Sequence, residues 1–371
     1  MSVAYESPKK VCVICHGLGS GGIESFVVNL AKGLKARKYD VKLAMALDEK
    51  GIQQFREKEI ENAGIEMFRT CDLGSLKRLY KHSIRLFYYL KENQFDIVHS
   101  NMSLLNGLNL AIAWLAGVKI RVAHAHAIGS ERSAHGKLNI LDYIYQRVMR
   151  SMISIFANRK CGCSQAVVED SYGKQRVNQL NTYVVNNGVD LSVFTPRDQT
   201  AHNTKTLITV GRLAPVKNPQ LIIQIMCILK DKGYTLNWVG GGELEADINK
   251  EIHRLNLSSC INMMGTRKDV NLLLQAANAF LLPSFSEGLS IATIEAQAVG
   301  LPCIVSDAIP EEVNCGLCKF VSLKESPEKW AEAIDDIVCR KEKLSLDMRL
   351  LKRFSTDYMV ERICSIYEKE E

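Results

Sequence analysis

The sequence predicts an α/β protein of two doubly wound domains, each a parallel sheet with helices on both faces. Three observations predict it. Short apolar runs, often β-branched, alternate with amphipathic stretches through the first half of the chain. A polar, turn-rich segment then interrupts them at about residues 188–206, and the alternation restarts. The chain is also 371 residues long, more than a single core usually organises.

Taken in order, apolar runs at 11–16, 41–47, 65–69, 96–100, 119–126, 159–164 and 182–186 read as buried parallel strands. Between them, stretches such as "IESFVVNLAKGLKAR" and "SLKRLYKHSIRLFYYLKE" space their apolar residues as one face of a helix does. The segment "GVDLSVFTPRDQTAHNTKT" reads as a linker. After it come "TLITVGRL", a helix from about 218, "YTLNWVGGG", a helix from about 243, "CINMMG", a helix from about 269, "NAFLLPS", a helix from about 289, and "PCIVSD". Two such sheets joined by a short linker are expected to face a cleft, with ligands bound outside the carboxyl ends of the strands.

Composition is that of a soluble enzyme, 47% apolar and 24% charged. No secretory signal is visible at the start, and "LNLAIAWLAGV" is too short to span a bilayer, so a cytoplasmic chain is expected. The twelve cysteines are scattered, as suits a reducing compartment. Cys12 and Cys15 lie three apart in a strand and point to opposite faces, while Cys315 and Cys318 have no second pair, so no metal site is expected. Residues 1–190 carry a charge of +9 and residues 191–371 a charge of −3. A basic first half fits an anionic partner or surface, or simply a solvated charged face.

Chemistry is densest just after strands. In "ITVGRLAPVKNP", Gly211 ends a strand and Arg212 and Lys217 precede a helix that Asn218 is placed to cap. Two cations there suit a doubly charged phosphate group, although a pair of solvated surface charges would read the same. "PSFSEGLSIATIEAQ" puts Glu287 in a loop and Glu295 in the first turns of the next helix, with the amides of Gly288, Leu289 and Ser290 between them. Alone, these read equally as a loop charge and an early-helix acid. "WVGGGELEADI" adds a glycine turn whose Gly242 is either a ligand contact or a plain turn residue. At the start, Gly17, Gly19 and Gly22 spell G-x-G-x-x-G, the fingerprint of a dinucleotide-binding turn. Its acidic partner would be Asp48, 26 residues past Gly22 and rather far. In "KIRVAHAHAIG", strand alternation sets His124 and His126 on one side. His99 in "DIVHSN" follows a strand and is either a cleft residue or a packing one.

These motifs, in this order, resemble the retaining glycosyltransferases of family 4, with their two-Rossmann-domain GT-B fold, and in particular those of bacterial exopolysaccharide and capsule assembly. Glu287 and Glu295 match the family's Glu-x7-Glu pair, Arg212 and Lys217 its diphosphate site, "NNGVDLSVF" its inter-domain segment, and "GGIE" its first loop. The resemblance implies an acceptor-side domain over 1–190, rejoined by a C-terminal helix over 355–371, and a nucleotide-sugar domain over 191–354. It implies donor contacts from Gly21, Gly22, Gly211, Arg212, Lys217, Gly242, Glu287, Gly288, Leu289, Ser290 and Glu295, with Glu287 at the sugar and Glu295 at the ribose. It places a histidine at the sugar, His126 ahead of His124. Catalysis is then expected from His126, Arg212, Lys217 and Glu287. The donor expected is a UDP-sugar ahead of a GDP-sugar, with no further cofactor. There is no Asp-x-Asp triplet to hold a metal, so Arg212, Lys217 and helix N-termini would meet the leaving charge.

An acceptor that is a glycan or lipid-linked sugar follows from the same resemblance. Basic amphipathic segments at 75–92 and 137–160 fit contact with an anionic membrane at the cytoplasmic face. Two rivals stand beside this reading: an NAD(P)-dependent oxidoreductase built on the glycine loop, and a nucleic-acid binder built on the basic half. Neither explains the motifs of the second half.

Overall fold

A computed structural model of the chain describes residues 8–48, 51–128, 140–173, 181–196, 205–339 and 344–369. It divides into two units, Met1–Gly188 with Thr356–Glu371, and Val189–Ser355. In the first, strands β1 (Lys10–Cys15), β2 (Asp40–Met45), β3 (Glu66–Arg69), β4 (Ile97–Ser100), β5 (Ile120–Ala125), β6 (Arg159–Gly162) and β7 (Thr182–Val184) form one sheet in the order 3-2-1-4-5-6-7. Every pairing in it is parallel. Both faces of β1 are covered, which is why "VCVIC" is apolar throughout rather than alternating. Cys15 joins Phe26 and Val27 in one core, and Cys12 joins Leu86, Leu110 and Ile153 in the other, so the two thiols do lie on opposite faces.

The face bearing Cys12 is covered by helices Leu76–Asn93, Asn106–Leu115 and Ile140–Phe156. The other carries helix Gly22–Ala36 and helix Thr356–Tyr367, which buries Met359, Val360, Ile363, Ile366 and Tyr367 in the same core. Each such side chain contributes about 1.5–3 kcal/mol of burial. The two helices approach closely at Gly33, where an added Cβ would stand 2.5 Å from Val360 Cγ2. Arg159, fully buried on β6, donates to the carbonyls of Ile366 (3.4 Å) and Lys369 (2.6 Å). Ile366 O is one of the acceptors that a helix end leaves without partners of its own, and Lys369 O lies just beyond that end.

In the second unit, β8 (Lys205–Val210), β9 (Tyr234–Val239), β10 (Ile261–Gly265), β11 (Ala279–Leu282), β12 (Cys303–Ser306) and β13 (Cys318–Val321) form a parallel sheet in the order 10-9-8-11-12-13. Its core gathers Leu236, Ile222, Leu281 and the fully buried Trp330. Strand β13 is absent from the sequence reading, which saw only a cysteine pair in "NCGLC". Four residues with a lysine among them give too short an apolar run to stand out, and Cys318 in fact lies in register with Cys303 of β12. Asn218 also departs from expectation. It occupies the N-cap position of helix Pro219–Leu229 but makes no side-chain capping bond. Its backbone is left-handed (φ +53°), and the rigid Pro219 begins the helix instead.

Candidate functional site

In the second sheet, β9 lies on one side of β8 and β11 on the other, so the loops leaving β8 and β11 part at a topological switch point. The loop after β8 carries Gly211, Arg212 and a single 3-10 turn, Pro215–Lys217. Its neighbour after β11 carries Glu287. A backbone bond from Phe285 N to Val216 O (2.8 Å) ties the two loops together, and Ser306 Oγ anchors the second by donating to Ser284 O (2.5 Å). The result brings Lys217 Nζ to 2.6 Å from Glu287 Oε1 across 70 residues of sequence. Both side chains are largely buried, 22% and 13% exposed, so this pair is screened far less than a surface one. Arg212 behaves differently. It is 71% exposed, and among the described residues its guanidinium reaches only Glu243, at 3.4 Å.

The neighbouring glycines serve packing. A Cβ on Gly240 would meet Gly211 O at 2.0 Å, and one on Gly242 would meet Leu213 O at 2.4 Å, because the loop after β9 lies directly against the loop after β8. That close approach is what "VGGG" encodes. Glu295 sits half-buried in helix Ile291–Ala298, and Ser290 caps that helix by accepting from Thr293 N (3.4 Å). Gly288 and Leu289 lie between these carboxylates, Leu289 buried.

The first unit holds a histidine cluster at the carboxyl ends of β4 and β5. His124 and His126 stack face to face, ring centres 4.4 Å apart, with Phe26 edge-on to both. His99 lies inside β4, fully buried, rather than after it as its sequence context suggests. It bonds His124 Nδ1 through Nε2 (3.0 Å) and the hydroxyl of Tyr367 through Nδ1 (2.7 Å). Burial holds all three imidazoles neutral. It pulls His99 and His126 down to about 3 and His124 well below its ordinary value, with charge repulsion from His126 adding to the effect on the other two. Asn101 Nδ2 donates to the carbonyls of Ile14 (3.4 Å) and His99 (3.3 Å), so its Oδ1 accepts from His126 Nε2 (3.0 Å). His126 therefore presents a bare lone pair at Nδ1, which is buried without a hydrogen-bond partner. Asn187 is near enough to favour the protonated ring, yet its own Oδ1 is also unpartnered.

Gly21 and Gly22 are exposed and open helix Gly22–Ala36, with the carboxylate of Glu24 lying beside Gly19 and Gly21. Asp48 pairs with Arg78 (3.2 Å), which removes it from the ribose-binding duty a dinucleotide site would ask of it. Asn101, Tyr367 and Glu243 escaped sequence reasoning. None stands in a recognisable motif, and Tyr367 meets His99 from 268 residues away. Among the described residues no cluster suited to a metal ion occurs.

Two family models match the chain: Glycosyltransferase Family 4 over residues 20–193 and Glycosyl transferases group 1 over residues 194–349. A Bacillus subtilis (strain 168) protein named as the glycosyltransferase EpsF is 30% identical over 344 residues, 88% of this chain and 87% of its own. The Escherichia coli UDP-Gal:alpha-D-GlcNAc-diphosphoundecaprenol alpha-1,3-galactosyltransferase is 30% identical over 64% of each chain. The Staphylococcus aureus capsular polysaccharide biosynthesis glycosyltransferase CapH is 24% identical over 91% of this chain and 93% of its own. Among solved structures, Anabaena HepE in complex with UDP and glucose aligns with a TM-score of 0.81 at 18% identity, over 98% of this chain and 100% of that one. Two parallel sheets of this topology, with these likenesses, define a glycosyltransferase of GT-B fold. The chain belongs to glycosyltransferase family 4, among enzymes of bacterial polysaccharide and capsule synthesis. The oxidoreductase and nucleic-acid readings fall away with that.

Proposed function

We propose that the chain transfers a sugar from a UDP-sugar to a lipid-linked glycan acceptor, with retention at the anomeric carbon and without a metal ion. The observation that carries this is the switch point of the second sheet, where an exposed Arg212 stands on one loop and the Lys217–Glu287 pair joins it to the next. Cations at that place can meet the negative charge that grows on a departing diphosphate, the largest electrostatic demand of the reaction. The named activity of the E. coli relative and the UDP held by HepE support the donor; the same relative's diphosphoundecaprenol substrate supports the acceptor.

In this reading the diphosphate takes Lys217 from Glu287 in part, which frees the carboxylate for a sugar hydroxyl, while Glu295 serves the ribose. The amides of Gly288, Leu289 and Ser290 and the loop at Gly211 face the donor phosphates and sugar, with Gly21 and Gly22 the first unit's contribution. His126 is the histidine this reading sets at the donor sugar; neutral and buried, its imidazole is a positioning base and not a strong one. The bond from the anomeric carbon to phosphate oxygen breaks as the acceptor oxygen bonds to the same face. The acceptor's proton passes to the departing phosphate oxygen. Work at the cytoplasmic face of a membrane, reached through the basic helices, completes the proposal; among the described residues no helix is long and apolar enough to cross one.

The test is calorimetric titration of the whole chain with UDP, GDP and a panel of their sugars, followed by NMR of the product's anomeric configuration. The expected result is binding of UDP ahead of GDP and an axial-for-axial or equatorial-for-equatorial product. Binding of neither nucleotide would sink the donor assignment, and an inverted product would sink retention.

A further inference from the structure

Two buried acceptors of the first unit stand together without a donor between them. One is Nδ1 of His126, and the other is Oδ1 of Asn187, a side chain only 3% exposed. Asn187 lies within hydrogen-bonding reach of the His126 ring, and since Asn101 already occupies Nε2, its place is at Nδ1. The tautomer of His126 cannot change to relieve the pair. Both amide hydrogens of Asn101 go to backbone carbonyls, those of Ile14 and His99, so its oxygen must accept and the ring proton stays on Nε2. A second ring proton is no remedy either, because burial holds the imidazole neutral down to about pH 3.

The amide of Asn187 has the remedy in itself. A half-turn of its terminal group puts Nδ2 where Oδ1 stands, and the donor then completes Nδ1 of the ring. Among the described residues no third group bonds this amide, so nothing opposes the turn. The backbone around it, by contrast, is pinned on both sides. Asn186 Nδ2 donates to Cys163 O (3.0 Å), and Cys163 in turn bonds Ala125 O through its amide (3.1 Å) and His126 O through its thiol (3.4 Å). Gly188 O accepts from Asn29 Nδ2 (3.0 Å), and Gly188 N lies 3.1 Å from the sulfur of Met359. Asn187 is thus held over the end of β5 by its neighbours, leaving its own side chain for the histidine.

We infer that Asn187 is a positioning residue for the transfer: its Nδ2–H donates to Nδ1 of His126 and, with Asn101 on the other nitrogen, clamps the ring as the neutral Nε2–H tautomer. This rests on the reading that sets His126 at the donor sugar. With both nitrogens engaged, the ring meets the sugar in one orientation and without charge, and the acceptor's proton is left to the departing phosphate oxygen. The clamp also keeps positive charge away from the His124 ring stacked 4.4 Å from it.

The test reads the ring directly, by nitrogen NMR of the full chain with isotope-labelled histidine, the His126 signals being those lost in His126→Gln. The expected result at neutral pH is a protonated Nε2 and an unprotonated Nδ1 whose signal is displaced by a hydrogen bond. Asn187→Leu removes that displacement and weakens binding of the tightest UDP-sugar of the panel above roughly three- to tenfold, with UDP affinity kept. Asn187→Asp offers only acceptors, so it raises the pH at which His126 takes a second proton by about one to three units. A free Nδ1 in the unaltered chain overturns the inference, as does a proton on Nδ1 in place of Nε2, or an Asn187→Asp chain whose His126 titrates as before. So does an Asn187→Leu chain that binds the UDP-sugar as tightly as the unaltered one, since the clamp would then serve packing alone. A displaced Nδ1 signal in a chain that binds no UDP would remove the donor assignment and leave the hydrogen bond standing.

Discussion

Arg212 and Lys217 show how two cations of one motif come to do different work. Lys217 is tied to a buried carboxylate, whereas Arg212 projects into solvent. Replacement of either by alanine is expected to lower turnover by roughly 10²–10³-fold, since each removes charge from the leaving group. Their stabilities should part. Arg212→Ala leaves the thermal midpoint unchanged, while Lys217→Ala strands Glu287 without its cation and lowers it. Near-normal turnover in both variants would overturn the assignment. The histidines give a second prediction, for pH. His99 and His126 are held near 3 against about 6.5 in the unfolded chain. The folded chain therefore refuses protons that the unfolded chain accepts between those values. Full stability is present above about pH 6.5 and is lost as pH falls below it, on the order of 2 kcal/mol for each group at pH 5. The thermal midpoint should drop between pH 7 and 5, and drop less in His99→Asn; an unchanged midpoint would refute this. Of these side chains the sequence exposed the types and the strand-end positions. It could not expose the Lys217–Glu287 contact, which exists only because the sheet order sets β11 beside β8.

At the scale of elements, helix Thr356–Tyr367 is held in the first unit by three contacts that no local pattern announces: Val360 on Gly33, Tyr367 on His99, and Ile366 O on Arg159. Gly33→Leu would force the two helices apart, and overpacking of this kind costs about 1–3 kcal/mol. Thermal unfolding should show the loss, with UDP binding at the second unit retained; a midpoint equal to that of the unaltered chain would show that the interface gives way freely. The strands themselves were legible as short continuous apolar runs, because parallel strands are buried on both faces. β13 was not, being four residues long with Lys319 inside it. The glycines at 240 and 242 were legible as a turn but not as a contact surface, since the loop they meet is some thirty residues earlier in sequence.

For the whole molecule, Arg212 and Lys217 belong to the mildly acidic second half of the chain, so they act as local charges and not through a net basic field. If fixed cations alone meet the leaving group, transfer should persist in excess EDTA; loss of activity that Mn²⁺ or Mg²⁺ restores would refute metal independence. The two-sheet architecture was readable from the alternation of elements, and its resemblance to a family from motifs in order. The return of the chain to its first unit was readable only through that resemblance, because an amphipathic helix does not say which core it serves. This return has a consequence for synthesis. A ribosome delivers the seven strands of the first sheet early, but the core on one of its faces stays open until residues 356–367 emerge. Val189–Ser355, by contrast, is complete in itself and can close first. The half made first is thus finished last, and a nascent chain waits with the Gly33 side of helix Gly22–Ala36 uncovered while an entire second unit is being translated.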